Sequence, residues 1–449
     1  LGMATDQGKN SNVHGIAAMS KSLGKSIAQV GTTGFRPPYR PVSIGALAGR
    51  SRGGHWRPIL RTPLHGWVEE KGGVFVEAGL WYRSRYFPKP GESMQQAIDR
   101  EVLAVRNAVG FCDVSTLGKV DLQGPDAAAF LNRIYCNGFA KLPVGKARYG
   151  LMLREDGIVL DDGTVSRLDE QHYFITTTSA ESDSVFNHME FCHQVLWPEM
   201  DIAIADVGED WAGIALAGPQ ARNVLQRIAP DIDVSNDALP FLGVRECHVL
   251  NGVRAHVFRI SFSGELAFEV YVPSRNGRAL AEALECHGEA FGITPYGVEA
   301  LDVLRIEKGH VSAELNHFTT ASDLGLGMMM STKKDYVGRA LSARPGLTDP
   351  DREVVVGLKP LDPSRSFRQG AHIFSRGVNI TPDADDGYVT SSAWSPTLGS
   401  HIGIALVRRG QERLGEVIEI VDPLHGEKRV PAEIVSHQFF DPENERVRN

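Results

Sequence analysis

Two segments repeat one pattern, and that pattern limits the fold more than any other feature of the chain. KVDLQGPDAAAFLNRI (119–134) and GIALAGPQARNVLQRI (213–228) both pass from an apolar strand through Gly-Pro-[Asp/Gln]-Ala into an amphipathic helix, with Pro125 where a first helical turn tolerates it. The repeat predicts two related α+β units. No Gly-x-Gly-x-x-Gly and no phosphate-loop signature follows any strand, so neither unit reads as a βαβ nucleotide-binding fold.

A chain of 449 residues is too long for one compact core, so two or three domains are expected. Beyond the central units, strands VVVGLKP, HIFSRG, GYVTSSAWS, HIGIALV, GEVIEIVD and KRVPAEIVS follow at short spacing after a linker at 343–351, the pattern of a small barrel or sandwich over 351–449. The fold class is therefore α+β: two related units over 93–342, then a C-terminal β module. Residues 1–30 read as the tail of a domain whose body is missing, with one short helix from His14 to Leu23. Residues 31–92 read as an extended arm anchored by Trp56, Trp67, Trp81 and Tyr86.

Charge divides along the same line. Residues 1–90 carry 13 Lys and Arg against 4 Asp and Glu, and the remainder carries 34 against 51. A basic arm before an acidic body suits packing on that body, or docking on a partner subunit, and disfavours nucleic acid. Five scattered cysteines without a Cys-x-x-Cys pair, and fifteen histidines without ligand spacing, point to free thiols in a reducing compartment and to no metal site. With no apolar run of membrane-span length and no signal peptide, the expectation is a cytoplasmic protein, and a piece of something longer.

Residues 147–168, ARYGLMLREDGIVLDDGTVSRL, read as an antiparallel hairpin turning at Arg154–Gly157, with Gly157 at positive φ. That loop places Leu153 opposite Ile158, Leu151 opposite Leu160 and Tyr149 opposite Asp162. A two-residue loop at Asp156-Gly157 would instead place Tyr149 opposite Thr164. Asp162 ends an apolar stripe, where a carboxylate is costly unless it is hydrogen-bonded or put to use, so it is the first candidate for chemistry. Asp161 is expected to face solvent. A further hairpin, RAHVFRISFSGELAFEVYVP, should turn at Ser263-Gly264.

Several motifs together resemble the folate-binding aminomethyltransferase family, which includes the T-protein of glycine cleavage. They are FCDVSTLGKVDLQGPDA (111–127), GIVLDDGTV (157–165), ALAGPQAR (215–222), FRISFSGELAFEVYVP (258–273), TPYGVEALDVLRIEKGH (294–310) and GYVTSSAWSPTLGSHIGIALV (387–407), in order over roughly residues 93–440. MATDQGK, FRPPYRPVSIGALAGR, RTPLH, GLWYR and SDLGLGMMMSTKKDYVGRA (322–340) are most similar to one subfamily, the C-terminal half of the α subunit of heterotetrameric sarcosine oxidases.

The resemblance implies tetrahydrofolate as one-carbon acceptor, giving 5,10-methylenetetrahydrofolate. It also implies a flavin (FMN or FAD) on or shared with a β subunit, small further subunits, and an N-methyl amino acid as amine. Rival expectations are a stand-alone aminomethyltransferase and a non-catalytic folate-binding module. By the same resemblance Asp162 lies beside the reactive folate nitrogens and is the catalytic candidate. Glu269 binds the pterin amide and amine donors, and Tyr149 and Arg305 lie near the folate.

Each residue has a plainer alternative: an amphipathic core tyrosine for Tyr149, an outward strand residue for Glu269, and an ion pair with Glu299, Asp302 or Glu307 for Arg305. Phe262 stands where T-proteins usually have tyrosine, and Leu266-Ala267 replace Asp-Gly, departures that remove polar groups from a folate-binding pattern. Lys333 and Lys334 read most simply as a solvated pair.

Overall fold

Both repeated segments adopt the expected strand, turn and helix. Strand Gly118–Gln123 passes through Gly124 (φ 132°) into helix Ala127–Ile134, and strand Trp211–Ala217 passes through Gly218 (φ 129°) into helix Ala221–Ile228. The two glycines are sterically required, because a Cβ would lie 2.2 Å from Asp201 O at Gly124 and 2.5 Å from Ala108 O at Gly218. The helices bury matching stripes, Ala127, Phe130, Leu131, Ile134 and Ala221, Val224, Leu225, Ile228, at the spacing that lines one helix face.

This computed structural model describes Gly24 and residues 60–78, 81–425 and 428–449. The expected tail at 1–30 with its helix His14–Leu23, and the arm up to residue 59 with Trp56, otherwise lie outside the described residues.

Each unit forms its own sheet. The first is five-stranded, in the order Lys146–Leu153, Val159–Asp169, His172–Thr177, Gly118–Gln123, Ala203–Asp206. The second is six-stranded, in the order Val244–Val249, Val253–Phe258, Ala267–Pro273, Trp211–Ala217, Val109–Asp113, Ile293–Pro295. Outer faces pack on helices: Val120, Leu122, Val165, Tyr173 and Ile175 on the helix Ala127–Ile134 side, and Ile214, Leu216, Val257, Phe268 and Val270 on the helix Ala221–Ile228 side. Inner faces meet through Ala147 and Phe174 of the first sheet and Val244, Phe258 and Tyr271 of the second.

The hairpin centred on Ser263-Gly264 keeps its expected centre, since Phe258 pairs with Glu269 and His256 with Tyr271. Its strands stop early, leaving 259–266 as a loop. A further helix, Ser182–Phe191, ends in a π-helical turn, Cys192–Leu196.

Where the sequence suggests an extended arm, residues 60–78 and 81–86 include regular structure. Helix His65–Glu70 and a three-stranded sheet of Leu60–Arg61, Trp81–Tyr86 and Val74–Ala78 form there, because Leu64, Trp67 and Val68 find the core of the second unit to bury against. Local periodicity does not reveal a partner that lies two hundred residues on.

The last six strands close into a barrel in the order Glu353–Pro360, Ser400–Arg408, Asp385–Ser395, His372–Ser375, Val417–Asp422, Lys428–Val435. The barrel docks on helix Val298–Lys308, whose Ile306 packs among Val355, Ile402, Ile404 and Leu406. Among the described residues no helix is long and apolar enough to cross a membrane, and no group of His, Cys, Asp and Glu could hold a metal ion. Four cysteines are buried and free, whereas Cys286 is exposed.

Candidate functional site

Strand register decides which side chains the first sheet turns inward. A turn at Arg154–Gly157 (Gly157 N–H to Arg154 O, 3.0 Å; Gly157 φ 88°) opens the hairpin, but a bulge follows, with Leu153 opposite Val159 and Met152 already opposite Asp161. The extra residue at Leu160 shifts the ladder, so Tyr149 pairs with Thr164 and Leu151 with Asp162. The expected pairings of Tyr149 with Asp162 and of Leu151 with Leu160 are thus corrected to the second register, whereas Leu153, opposite Val159 rather than Ile158, follows neither. Side-chain period two keeps Tyr149 and Asp162 on one face as diagonal neighbours, within reach of a long aromatic side chain. The Tyr149 hydroxyl donates to Asp162 Oδ2 at 2.7 Å.

Asp161, the neighbour expected in solvent, is only 5% exposed. Its Oδ2 accepts from Thr178 N–H at 3.1 Å, while the Thr178 hydroxyl donates to Asp162 Oδ1 at 3.4 Å. Burial, then repulsion from Asp162, pushes the Asp161 carboxyl up to about 8. Burial also raises Asp162, opposed by the hydroxyls of Tyr149 and Thr178. Thr178 carried no signal in the sequence, because its role depends on where strand His172–Thr177 ends.

The second sheet presents a matching pair. Glu269 and Tyr271 share the inner face of strand Ala267–Pro273, and the Tyr271 hydroxyl donates to Glu269 Oε2 at 2.8 Å. Gly213, opposite Tyr271, makes room for the ring: a Cβ there would sit 2.5 Å from Tyr271 Cε1. Burial raises Glu269 to about 6, against the Tyr271 bond and the Lys119 cation.

Lys119, in the row Tyr149, Thr164, Thr176, Lys119 across the first sheet, is itself fully buried. It donates to the carbonyls of Ser115, Leu117 and Gly208 at 2.8–2.9 Å. Desolvation lowers it to about 8. Where the two inner faces meet, Phe174 stacks on Phe258 (centroids 5.5 Å apart, planes at 20°) and meets Tyr271 edge-on at 5.6 Å. Two inner faces, each carrying a carboxylate held by a tyrosine, therefore flank one aromatic junction.

The other candidates have partners of their own. Arg305 is 3% exposed and its donors are occupied by Asp302 (2.7 Å), Glu314 (3.1 Å) and Ser391 of the barrel (2.6 Å). Its alternative partners Glu299 and Glu307 pair with Arg85 and Arg106 instead. Phe262, in the 259–266 loop, is 39% exposed and stacks on His310, whose Nδ1 lies 3.0 Å from Phe262 O. Burial pushes that histidine down to about 4. Lys333 is exposed, but Lys334 is not simply solvated: it donates to the carbonyls of Asn132 and Tyr135 and lines a cavity of about 720 Å³ with Trp197 and Tyr336.

Comparison with known proteins places this geometry. Residues 64–334 match the GCVT N-terminal domain, residues 354–441 the glycine cleavage T-protein C-terminal barrel domain, and residues 1–50 the sarcosine oxidase A3 domain. This chain belongs to the glycine cleavage T-protein family. Within that family it is 54% identical over 99% of its length to the sarcosine oxidase subunit alpha of Rhizobium meliloti (strain 1021), of which it covers 45%. It is 32% identical over 85% of its length to the aminomethyltransferase of Geobacillus kaustophilus (strain HTA426), of which 99% is covered. A T-protein crystal structure, aminomethyltransferase T of the glycine cleavage system from Bartonella henselae, shares the fold (TM-score 0.73, 24% identity, 85% of this chain and 98% of that one). The chain thus contains the span of a T-protein and about half the length of the sarcosine oxidase α subunits it matches.

Proposed function

We propose that this chain binds tetrahydrofolate between the two inner faces and captures a one-carbon unit on it, giving 5,10-methylenetetrahydrofolate within a sarcosine oxidase-like assembly. The observation that carries the reading is the pair of tyrosine-held carboxylates, Asp162 and Glu269, on the inner faces of the two sheets of a T-protein fold.

The residues fit the ligand. A pterin edge offers amide and amine donors, and Glu269, with Tyr271 on Oε2, leaves Oε1 as an acceptor. Phe258 and Phe174 supply aromatic wall beside it. Tetrahydrofolate, when bound, supplies the two nitrogens that accept the carbon. Asp162 stabilises positive charge at the reacting nitrogen and carries a proton from a folate N–H toward the departing amine, so that both N–H protons end on the released amino acid. Tyr149 and Thr178 fix its two oxygens for that task.

Oxidation of an N-methyl amino acid to the imine is assigned to a flavin-bearing partner subunit, in keeping with the names of the α-subunit relatives. A stand-alone aminomethyltransferase is the second reading, favoured by the near-complete coverage of the Geobacillus enzyme. The test is tetrahydrofolate binding by wild type and Asp162→Ala, then reconstitution with a flavin subunit and sarcosine. A wild type that binds no folate refutes the reading, and Asp162→Ala that forms methylene-folate at the wild-type rate removes Asp162 from the mechanism.

A further inference from the structure

Asp161 and Asp162 are adjacent on strand Val159–Asp169 and point to opposite faces of the sheet, separated by one peptide unit. Among the described residues no Lys, Arg or His hydrogen-bonds or pairs with either carboxyl; the partners are Thr178 for Asp161, and Thr178 and Tyr149 for Asp162. The titratable groups facing the pair from neighbouring elements are Tyr149 on strand Lys146–Leu153 and Tyr135 after helix Ala127–Ile134, both neutral acids. Two negative charges set this close in a water-poor region, without a cation, are costly.

The hydrogen bonds divide the pair unequally. Both oxygens of Asp162 accept from hydroxyls, which favours its ionised form. Asp161 accepts the Thr178 N–H on Oδ2 but no tyrosine hydroxyl, and burial beside the Asp162 charge outweighs its hydrogen bonds. We propose that Asp161 and Asp162, tied together through Thr178, hold one proton between them, and that Asp161 is a positioning residue that keeps Asp162 the charged member. The direction of the titration agrees, Asp161 standing near 8. Asp162 then meets a cationic nitrogen as half of a monoanion, a consequence that rests on the folate reading, although the proton sharing itself does not.

The test is infrared difference spectroscopy of the full chain between about pH 7 and pH 9, without folate. The wild type should lose protonated-carboxyl absorbance over that range, and Asp161→Asn should lose less, keeping only the part from Glu101, which burial pushes up to about 7. In Asp162→Asn the loss should move at least about one pH unit lower, since the like charge is gone. Thr178→Val, which keeps the N–H on Asp161 and removes a donor from Asp162, should raise the pH at which Asp162 ionises, and Thr178→Ser should restore it. An Asp161→Asn chain with the full wild-type band loss overturns the proposal, as does a Thr178→Val chain that titrates like wild type. Folate binding by the same wild-type preparation separately decides the functional reading.

Discussion

The Tyr149 hydroxyl bonds Asp162 at 2.7 Å although the two residues are not partners across the ladder, where Tyr149 faces Thr164 and Asp162 faces Leu151. The ladder shifts by one residue at the turn and by one more at the Leu160 bulge, so Asp162 stays on the tyrosine's face, and the long side chain of Tyr149 closes the diagonal. A carboxylate at the end of an apolar stripe is thereby satisfied.

Tyr149→Phe removes the shorter of the two hydroxyl bonds to Asp162. Its ionisation should move to higher pH, and folate-dependent turnover at neutral pH should fall roughly 5- to 10-fold, about 1 kcal/mol of lost hydrogen bonding. The pH dependence of kcat reads this, with the acid limb shifted up and thermal stability little changed.

Glu269→Gln replaces an acceptor-only carboxylate by an amide that presents donors to the pterin edge. Tetrahydrofolate affinity should fall by about 10- to 100-fold, the range of a charged hydrogen bond. Titration calorimetry should show this with an unchanged circular dichroism spectrum. Tyr271→Phe should weaken binding less, since it frees Glu269 without removing it.

Stability should decline toward alkaline pH in a way that depends on Asp161. Its folded carboxyl stands near 8 against an ordinary value of 3.8, so the folded chain keeps a proton that the unfolded chain has released. The contribution is complete below pH about 4 and is lost as pH rises through 8, amounting to a few kcal/mol. Glu269, near 6 against 4.5, acts with the same sign over a narrower window. Urea unfolding at pH 5 and pH 9 should show a smaller difference for Asp161→Asn than for wild type.

Arg305→Ala leaves Glu314, which is fully buried, without its cation. Arg305, Thr390 and Ser391 together hold that glutamate below its usual value against the penalty of burial. A loss of about 3–5 kcal/mol is expected, seen as an earlier unfolding transition. Unchanged stability combined with weakened folate binding would instead place Arg305 in the ligand site.

Much of the architecture was legible because it rests on local rules. The repeated Gly-Pro turn marked two strand-helix units, short strand runs at close spacing marked the six strands of the barrel, and the positive-φ glycine located the hairpin turn. The sequence also singled out Asp162, since a carboxylate in an apolar stripe needs a reason to be there.

Long-range packing decided the rest. A one-residue shift at the turn and the inserted Leu160 together changed every pairing of the hairpin beyond them, and Asp161 is buried where its Oδ2 meets Thr178 N–H. Tyr271 and Lys119 gained their roles only when the sheets met and when distant carbonyls converged on one ammonium group. Arg305 was tied into the barrel docking by residues some ninety positions away. Sequence determined the elements and the principal carboxylate, because propensity and periodicity act over a few residues. The partners and charge states of those groups were set by tertiary structure, because desolvation and hydrogen bonding depend on what the fold brings alongside.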